Sequence, residues 1–476
     1  MIALVNPWST PSKPPLPMAL LALGSMLEGE FDYRIIDGNI DSDPVGTILA
    51  LGEQHRLTAI AITTMIGPQL ANAIRMARAL KLRLPDVPIV WGGYFPSEHA
   101  EVCLRDSAVD FCVRGQGEHS FLALMRVLAT GGSPAGIAGV SFKSNAAVQH
   151  QGIAPIAQLD QLPLWPYHRV EMSRYFHRHY LGERVGAHHT SFGCPHACSF
   201  CAVVGMVNRR WVAESPERVG TVLERFKRDY RADAMQLHDM DFFVSEPRAV
   251  AIADRMRALD MTWWALGRVD ELMRYRASTW ETPQRSRLRM VFVGAESGST
   301  DTLQQMNKGG AAAAELTLDL ARRARAYGIV PEFSFVVGNP PDPEADLRHT
   351  LAFIRRVKSI NPASEIILYV NSPVTNFAFP ETLDEWLSDR WQTFSLRRDP
   401  QTPWSPAAVH RRVRNFETVL NAYYPTVTDT TLTGWKRLLL RTSAAWRYHG
   451  RIEGWPIELN ALQTAFHYKR PETLGF

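Results

Sequence analysis

The sequence is poor in cysteine and has almost no surplus charge of either sign. It has 5 cysteines among 476 residues, and this small, odd number argues against a secreted scaffold held by disulfides. Its 52 Lys and Arg residues nearly balance 48 Asp and Glu residues, which leaves a net charge of +4. Spread over this length, the surplus gives no broad electrostatic footprint for nucleic acid. We therefore expect no nucleic-acid partner.

Long hydrophobic runs are also missing. The most apolar stretch, residues 16–27, is closed by Glu28 and Glu30, and it is well short of the roughly 20 residues that cross a bilayer. No basic residue precedes the first apolar run, and no small-residue cleavage pattern follows one. These absences predict a cytoplasmic protein with reduced thiols and no integral membrane segment.

The first part of the chain alternates short β-branched runs with helical patterns. The predicted strands are residues 2–5, 34–37, 59–63, 89–91 and 111–113. Apolar strands joined by helical crossovers indicate a parallel sheet with both faces covered, that is, a doubly wound Rossmann-like α/β domain. No G-x-G-x-x-G follows the first strand, so the signature of nicotinamide and flavin sites is missing.

Ligands of such sheets bind outside the carboxyl ends of the strands. Plain turn formation is the alternative explanation for the glycines at these positions. The residues that the sequence places there are Pro7, Thr63, Thr64, Gly92, Gly93, Tyr94, Gly115, Gln116 and Glu118.

Three further regions follow a first domain predicted over residues 1–145. Residues 146–185 are irregular and contain several prolines, which predicts a linker. Six strand–helix units then predict a barrel or partial barrel over residues 186–380. Their strands are predicted at residues 189–192, 234–237, 262–266, 290–293, 332–336 and 365–369.

The last region, residues 381–476, is predicted to be a helical domain. It holds six of the 13 tryptophans, which indicates either core packing or an aromatic wall around a large apolar substrate. These tryptophans are Trp386, Trp391, Trp404, Trp435, Trp446 and Trp455.

Three of the five cysteines are crowded into eight positions. Cys194, Cys198 and Cys201 form a C-x3-C-x2-C pattern directly after a predicted strand. Three thiolates can hold three irons of a four-iron cluster and leave the fourth iron open for a small molecule. Zinc is the competing metal, but a structural zinc site needs four ligands, and His196 within the loop is the available fourth.

The cysteine pattern and several segments after it resemble the radical S-adenosylmethionine superfamily over about residues 190–380. Phe200 precedes the last cysteine, a polar segment 236–242 lies at the second strand, and residues 293–299 resemble the family's Gly-x-Glu-Ser-Gly segment. The resemblance implies a [4Fe-4S] cluster on the three cysteines and bound S-adenosylmethionine. The residues it implies for S-adenosylmethionine are Phe200, Gln236, Asp239, Arg268, Glu296 and Ser334. His238 and Asp241 lie in the same segment, and for these two and Asp239 the alternative is helix capping, since carboxylates at strand ends also cap helices.

Charge supports two of these assignments. Glu296 and Arg268 are charged groups at strand ends, suited to hold the polar parts of the ligand. The alternative for both residues is a structural ion pair at the rim of the barrel.

Residues 1–145 resemble the cobalamin-binding module of cobalamin-dependent radical enzymes. The resemblance rests on residues 14–18, on the loop 91–96, and on residues 114–118, where relatives usually have Gly-Glu-Gly-Glu. Gln116 departs from that pattern. The resemblance implies that Thr63 and Thr64 bind the edge of the corrin and that the glycines let the backbone approach it. A Rossmann-like module without a cofactor is the alternative.

The Asp-x-His-x-x-Gly motif of other cobalamin proteins is missing. His55, His99 and His119 lie in the wrong sequence context, so we expect that no histidine coordinates cobalt.

The combination of modules resembles the subfamily of class B methylases and the anaerobic magnesium-protoporphyrin cyclase. It implies methylation of an unactivated carbon of a natural-product, lipid or tetrapyrrole-like substrate, by way of methylcobalamin and a 5′-deoxyadenosyl radical. One alternative is a related enzyme that catalyses oxidative cyclisation or ring rearrangement without methyl transfer, and another is a zinc-binding protein without enzymatic activity. The expected partners are a small-molecule substrate and an electron donor such as a reductase, flavodoxin or ferredoxin. The tryptophan-rich C-terminal region hints at a substrate that is large and apolar. The sequence identifies no catalytic acid or base.

Overall fold

Two β-sheets, each carrying its own helices, make up most of the protein. The computed structural model describes residues 1–11, 13–144, 147–178, 180–309, 313–371, 380–388, 434–450 and 461. The first sheet has seven strands and the second has six. A separate two-stranded ribbon is formed by the part of the chain that connects the first and second strands of the second sheet.

The first sheet has the strand order β2-β1-β3-β4-β5-β6-β7. Its strands are β1 Ile2–Asn6, β2 Tyr33–Asp37, β3 Ala59–Thr63, β4 Ile89–Gly92, β5 Phe111–Val113, β6 Val140–Ser144 and β7 Ala147–His150. The five parallel strands lie where the sequence predicts them. The two antiparallel edge strands β6 and β7 were not predicted, since β7 is short and mostly exposed. It also lies within the segment predicted as a linker.

Helices cover both faces of this sheet, so the predicted doubly wound architecture is confirmed. They are α1 Met18–Leu27, α2 Pro44–Gln54, α3 Pro68–Arg83, α4 Tyr94–Arg105 and α5 Glu118–Thr130. Side chains of α1 and α5 pack on one face, and those of α2, α3 and α4 pack on the other. The strand order reverses at β1 and β3, the place where ligands of such sheets bind.

The segment between the two sheets is attached to the first one. It contains three short 3-10 helices, Leu159–Gln161, Tyr167–Arg169 and Met172–Arg174. The Tyr175 hydroxyl donates to Asp37 Oδ2 over 2.9 Å, and Arg169 pairs with Glu28 at 2.7 Å. These bonds hold the second unit against the first domain.

The second sheet has the order β15-β14-β13-β12-β11-β8, and all its strands are parallel. Its edge strands β8 and β15 are not paired with each other, so it is a partial barrel, as predicted. The strands are β8 Val185–His188, β11 Ala234–Leu237, β12 Thr262–Arg268, β13 Leu288–Glu296, β14 Val330–Val337 and β15 Glu365–Val370.

The predicted position of the first barrel strand is wrong. The structure places it at Val185–His188, and the later residues Ser191–Gly193 form β9, which pairs antiparallel with β10 Trp211–Ala213. Gly193 has φ 89°, and a Cβ there would overlap the Arg210 carbonyl oxygen. The chain therefore leaves the sheet after His188 and turns toward the cysteines.

The helices of the second unit are α6 Val203–Val207, α7 Pro216–Tyr230, α8 Glu246–Ala258, α9 Val269–Arg274, α10 Ala277–Arg285, α11 Thr300–Gln305, α12 Ala313–Ala326 and α13 Pro343–Ile360. Side-chain caps fix where the long ones begin. Ser215 accepts from the Arg218 amide at the start of α7, and Asp342 accepts from the Ala345 amide at the start of α13. The central strand β14 is buried at every position, as a parallel strand covered on both faces should be.

Two helices of the predicted C-terminal region are described, α14 Leu383–Trp386 and α15 Gly434–Gly450. Trp386 is buried against the first domain, with its ring 5.0 Å from that of Phe95. Trp435 and Trp446 on α15 are exposed. Trp391, Trp404 and Trp455 lie outside the described residues. Within the described part of the chain, no helix is long and apolar enough to cross a membrane.

We predict that Trp386→Ala lowers the free energy of unfolding by about 3–5 kcal/mol, because it removes a large buried ring from the core of the first domain. Chemical denaturation of the full chain measures this. Trp446→Ala is the control and should change the stability by less than about 0.5 kcal/mol, since its side chain is exposed. Equal losses in the two variants would contradict the docking of α14.

Candidate active site between the two sheets

The three cysteines lie together in the loop that follows β9. Burial is the main cause that raises the pKa of Cys194 to about 12 and the pKa of Cys201 above its usual range. Cys201 lies close enough to Cys194 and Cys198 for their charges to interact. Three thiols brought together in a mostly buried loop fit a bound metal, which would stabilise their thiolate forms.

Two side chains from different parts of the barrel clamp this loop. Arg268, at the end of β12, donates from Nη1 to Cys198 Sγ over 3.1 Å and pairs with Asp270 at 3.0 Å. Asn307 Nδ2 donates to the Ala197 carbonyl over 2.9 Å. The clamp places a positive charge and an N–H donor against one cysteine sulfur.

His196, the candidate fourth zinc ligand, is engaged elsewhere. Its Nε2 lies 2.6 Å from Glu271 Oε1 and 3.7 Å from Asp241 Oδ2. Burial, and then the charge of Glu271, raise the pKa of Asp241 well above its usual range. A closed zinc site using Nε2 would have to break the contact with Glu271, so the donor set fits the three-cysteine cluster better.

The structure brings the remaining predicted ligands of S-adenosylmethionine to four adjacent strands. Gln236, Arg268, Glu296 and Ser334 belong to β11, β12, β13 and β14. Glu296 ends β13 and pairs with Lys308 at 2.6 Å, each side chain being nearly buried. Lys308 Nζ also lies 5.8 Å from the centre of the Phe200 ring, which joins the cysteine loop to the end of β13.

A cavity of about 260 Å³ lies beside this arrangement. It is lined by Pro195, His196, Ala197, Arg209, Arg268, Asp270, Asn307 and Gly309. Its walls are charged and polar, and they include residues of the cysteine loop itself. This composition is suited to the polar end of a ligand held next to the cluster.

Asp239 has a different environment from the other candidates. Its carboxylate is fully buried and accepts from the Thr190 amide and hydroxyl, both at 2.6 Å, and from Ser191 Oγ at 2.7 Å. The side chain thus shapes the turn before the cysteines and is surrounded by the protein's own donors. A role in positioning the loop fits this geometry better than the predicted contact with S-adenosylmethionine.

Sequence reasoning missed Arg248, which supports the same turn. Its buried guanidinium donates to the Thr190 carbonyl over 2.7 Å and to the Glu214 carbonyl over 2.9 Å. Arg248 lies in the first turn of α8, where a charged residue is usually solvent-exposed, so the sequence carried no signal for it. Lys308, Asp270 and Glu271 were also not assigned, because a pattern of charged residues along the chain does not show which of them meet beside the cysteine loop.

The loops at the carboxyl edge of the first sheet leave room for a ligand to approach the backbone. Gly93 has φ 96°, and a Cβ there would lie 2.9 Å from the Thr64 carbonyl oxygen. The Gly115 amide donates to Ser97 Oγ over 2.9 Å. Only glycine fits at position 93 without strain, so Thr64 and the β4 loop can remain in close contact.

The other predicted cobalamin residues differ in their solvent exposure and in their hydrogen bonds to the protein. Pro7 and Thr64 are buried, whereas Thr63 and Gly92 are partly exposed at the ends of β3 and β4. Gln116 is buried, and its Oε1 accepts from the Ala157 amide over 2.6 Å. Burial raises the pKa of Glu118 above its usual range. Gln116 therefore ties its loop to the connecting segment.

The two candidate cofactor edges face each other. A Cβ on Gly205 of α6, just after the cysteines, would lie 3.1 Å from Glu98 Oε2 of α4. Burial raises the pKa of Tyr94 to about 12, with smaller contributions from the charges of Glu98 and Cys201. Tyr94 is the first residue of α4 and directly follows the loop after β4. This loop of the first sheet therefore lies next to the cysteine loop.

Comparisons with known families agree with this division of the chain. Residues 12–125 match the family described as the B12 binding domain, and residues 189–354 match the Radical SAM superfamily. These matches confirm the predicted cobalamin-binding and radical modules and their cofactors: cobalamin, S-adenosylmethionine and a [4Fe-4S] cluster. The hypothesis of a zinc-binding protein without enzymatic activity is accordingly set aside.

Three similar proteins illustrate the relationship. An uncharacterized methyltransferase of Pyrococcus horikoshii is 28% identical over 348 residues, which cover 72% of this chain and 73% of the relative. The anaerobic magnesium-protoporphyrin IX monomethyl ester cyclase of Synechocystis is 24% identical over 301 residues, 62% of this chain and 59% of the relative. The solved structure of the cobalamin-dependent S-adenosylmethionine radical enzyme OxsB has a TM-score of 0.67 and 15% identity, covering 99% of this chain and 73% of OxsB. The last likeness establishes the fold.

We predict that Arg268→Gln makes the reduction potential of the reconstituted cluster more negative, because the change removes a positive charge and a hydrogen bond to the Cys198 sulfur. A redox titration followed by electron paramagnetic resonance measures the potential. The exposed Arg285→Gln is the control and should leave it unchanged. An unchanged potential in Arg268→Gln would show that the bond to sulfur is absent in the loaded protein.

We also predict that Gly93→Ala weakens cobalamin binding by about tenfold or more, because a side chain at this φ is strained by about 1–3 kcal/mol and crowds Thr64. Titration of the purified protein with cobalamin, followed by absorbance, measures the affinity. Gly132→Ala in the same domain is the control, since a Cβ there meets only ordinary contacts. Equal affinities in the two variants would remove the β4 loop from the cobalamin site.

Proposed function

Since the chain joins a B12-binding domain to a Radical SAM domain and is an enzyme of the cobalamin-dependent radical S-adenosylmethionine class, we propose that it methylates an unactivated carbon of a small-molecule substrate. The substrate class that the sequence suggests is a natural product, a lipid or a tetrapyrrole-like compound. S-adenosylmethionine would serve both as the methyl source and as the source of the radical.

The observation that carries this proposal is the contact between the two edges. Glu98 of the B12-binding domain lies against Gly205 of α6, just after the cysteine loop, and Tyr94 lies close enough to Cys201 for their charges to interact. When bound, the cluster supplies the electron that cleaves S-adenosylmethionine to a 5′-deoxyadenosyl radical, and cobalamin carries the methyl group. A substrate between the two edges would reach both cofactors without leaving the site.

The protein's own residues divide the work of binding and orientation. Cys194, Cys198 and Cys201 would hold three irons, and the missing fourth cysteine leaves one iron for the amino and carboxylate groups of S-adenosylmethionine. The paired Glu296 and Lys308 lie at the end of β13, where a carboxylate can accept hydrogen bonds from the ribose hydroxyls. Asp239 and Arg248 hold the turn that aims the cysteine loop.

The reaction needs electrons from outside the chain. One turnover would consume two molecules of S-adenosylmethionine and two electrons, and it would yield S-adenosylhomocysteine, methionine, 5′-deoxyadenosine and the methylated product. The hydrogen atom removed from the substrate ends in 5′-deoxyadenosine. A flavodoxin, a ferredoxin or their reductase is the proposed donor, and the free thiols suit the reducing cytoplasm, where we propose that the enzyme works.

A second candidate function is oxidative cyclisation or ring rearrangement without methyl transfer. It is favoured by the similarity to the Synechocystis cyclase. The methyltransferase of Pyrococcus horikoshii has the higher identity and matches a larger share of both chains, which supports methylation as the first choice.

We predict that the reduced enzyme, supplied with cobalamin and S-adenosylmethionine carrying a deuterated methyl group, transfers that group to cobalamin and also forms 5′-deoxyadenosine. Mass spectrometry detects both products, and neither requires the substrate. Cys194→Ala should lower 5′-deoxyadenosine formation at least about 100-fold, because a cluster that lacks one of its three cysteine ligands cannot be held for electron transfer. Cys103→Ala, a buried thiol of the other domain, is the matched control and should retain it.

The outcomes separate the alternatives. Deuterated methyl on cobalamin together with 5′-deoxyadenosine supports the methylase, whereas 5′-deoxyadenosine alone favours the cyclising or rearranging enzyme. Retention of 5′-deoxyadenosine formation in Cys194→Ala, or zinc without sulfide in anaerobically purified protein, would refute the cluster assignment.

A further inference from the structure

Five aromatic rings form a continuous arc across the second sheet. Trp165 of the connecting segment lies 6.4 Å from His189, His189 lies 6.2 Å from His238, His238 lies 5.3 Å from Trp264, and Trp264 lies 6.4 Å from Phe292, all between ring centres. We call these five residues the aromatic arc. Its members come from the chain before β8 and from four adjacent strands or their ends, so only the folded sheet assembles it.

The arc lies on the concave face of the partial barrel. Met235 and Leu237 of β11 are packed into the core beneath the helices, so the alternation of a strand puts Gln236 and His238 on the opposite face. The same alternation separates Trp263, in the helix-covered core, from Trp264. The His238 amide donates to the His188 carbonyl over 2.9 Å. This bond brings the imidazole of His189, the next residue, beside that of His238.

Depth and exposure differ along the arc in a way that suits a bound ring. Trp264 is 1% exposed, and its indole N–H donates to Glu332, so it offers only its ring as a floor. The other four members, Trp165, His189, His238 and Phe292, are partly exposed. Part of each of these four side chains is therefore accessible, whereas Trp264 closes the base of the arc.

The two imidazoles of the arc have unused hydrogen-bonding capacity. Among the described residues, neither His189 nor His238 makes a side-chain hydrogen bond, although both lie deep in the fold. Burial lowers the pKa of His189 to about 4 and the pKa of His238 to about 3, so both rings are neutral near pH 7. Each neutral imidazole then presents one N–H donor and one acceptor nitrogen.

We propose that the aromatic arc is the substrate-binding surface and that its ligand is a flat, conjugated ring. The ring bears an uncharged group that forms hydrogen bonds with His189 and His238. This inference rests on the proposed function and narrows its substrate class. Stacked and edge-on contacts with the arc hold the flat ring, while the imidazoles set its rotation. An aliphatic lipid chain would use neither property.

The arc shares its face with Gln236, one of the groups assigned to S-adenosylmethionine, and it extends away from the others. Phe200, Lys308 and Glu296 meet at the outer end of β13, whereas the arc runs from Phe292 toward β8. Phe292 lies four residues before Glu296 on the same strand. A ring on the arc would thus lie inward of the end of β13, and a substituent directed toward that end would give up its hydrogen atom to the 5′-deoxyadenosyl radical.

The test uses two probes with the same carbon skeleton and one hydroxyl group, the flat conjugated 2-naphthol and the saturated, non-planar decahydro-2-naphthol. Calorimetric titration of the loaded enzyme, with S-adenosylmethionine present and no reductant, should show 2-naphthol binding at least about tenfold more tightly. Phe292→Leu keeps an apolar side chain but removes one ring, and it should weaken 2-naphthol about three- to tenfold. His238→Phe keeps the ring and removes the nitrogens, and it should weaken both probes. Trp446→Leu, an exposed ring on α15, is the matched control and should change neither affinity.

Three results would overturn the proposal. The first is equal affinities of the two probes, including no binding of either. The second is a loss of affinity for 2-naphthol in Trp446→Leu that is as large as in Phe292→Leu. The third is displacement of S-adenosylmethionine by 2-naphthol, which would assign the arc to the adenine ring. Because binding is measured without reductant, it does not depend on turnover. The deuterated-methyl experiment on the wild-type enzyme tests the proposed function separately, so the two failures are distinguishable.

Discussion

The buried carboxylate of Asp239 is the constraint on which the rest of the site depends. It accepts three hydrogen bonds from Thr190 and Ser191, at the point where the chain leaves the barrel sheet and turns into β9. A fully buried carboxylate is costly unless such donors surround it, and the nearby Arg248 guanidinium supplies the opposing charge. Because β9 leads directly into Cys194, the direction of the cysteine loop follows from this interaction. The loop is also held by Arg268 and Asn307, which bond to Cys198 and Ala197.

A second consequence is the meeting of the two domains. The connecting segment is bonded to the first domain through Tyr175 and Arg169, and Trp386 returns from beyond the barrel to pack on α3 and α4 of the same domain. With the barrel tied at both ends, α4 meets α6 beside the cysteines. This arrangement places the carboxyl edge of the B12-binding domain over the mouth of the partial barrel, which is what a reaction using two cofactors on one substrate requires.

The mouth of the barrel has two chemically distinct sides. Charged pairs surround the cysteine loop and the end of β13, where Arg268, Asp270, Glu296 and Lys308 are held by one another. The aromatic arc covers the other side and carries no formal charge, since burial keeps its imidazoles neutral. Such a division suits a polar, charged cofactor bound next to an uncharged, conjugated substrate.

The sequence by itself determined the modules and the positions of most strands, because these depend on local periodicity and on spacing along the chain, and the same spacing predicts the three cysteines as cluster ligands. It misplaced the first barrel strand, since Thr190 and Ser191 are drawn out of the sheet by Asp239, 48 or 49 residues away. It had no means of finding the donors around Asp239, the role of Arg248 or the partners of His196. Only the tertiary structure decided which polar side chains are consumed by other protein groups and which remain open. The aromatic arc belongs to the same category, because its five rings become neighbours only when separate strands pair.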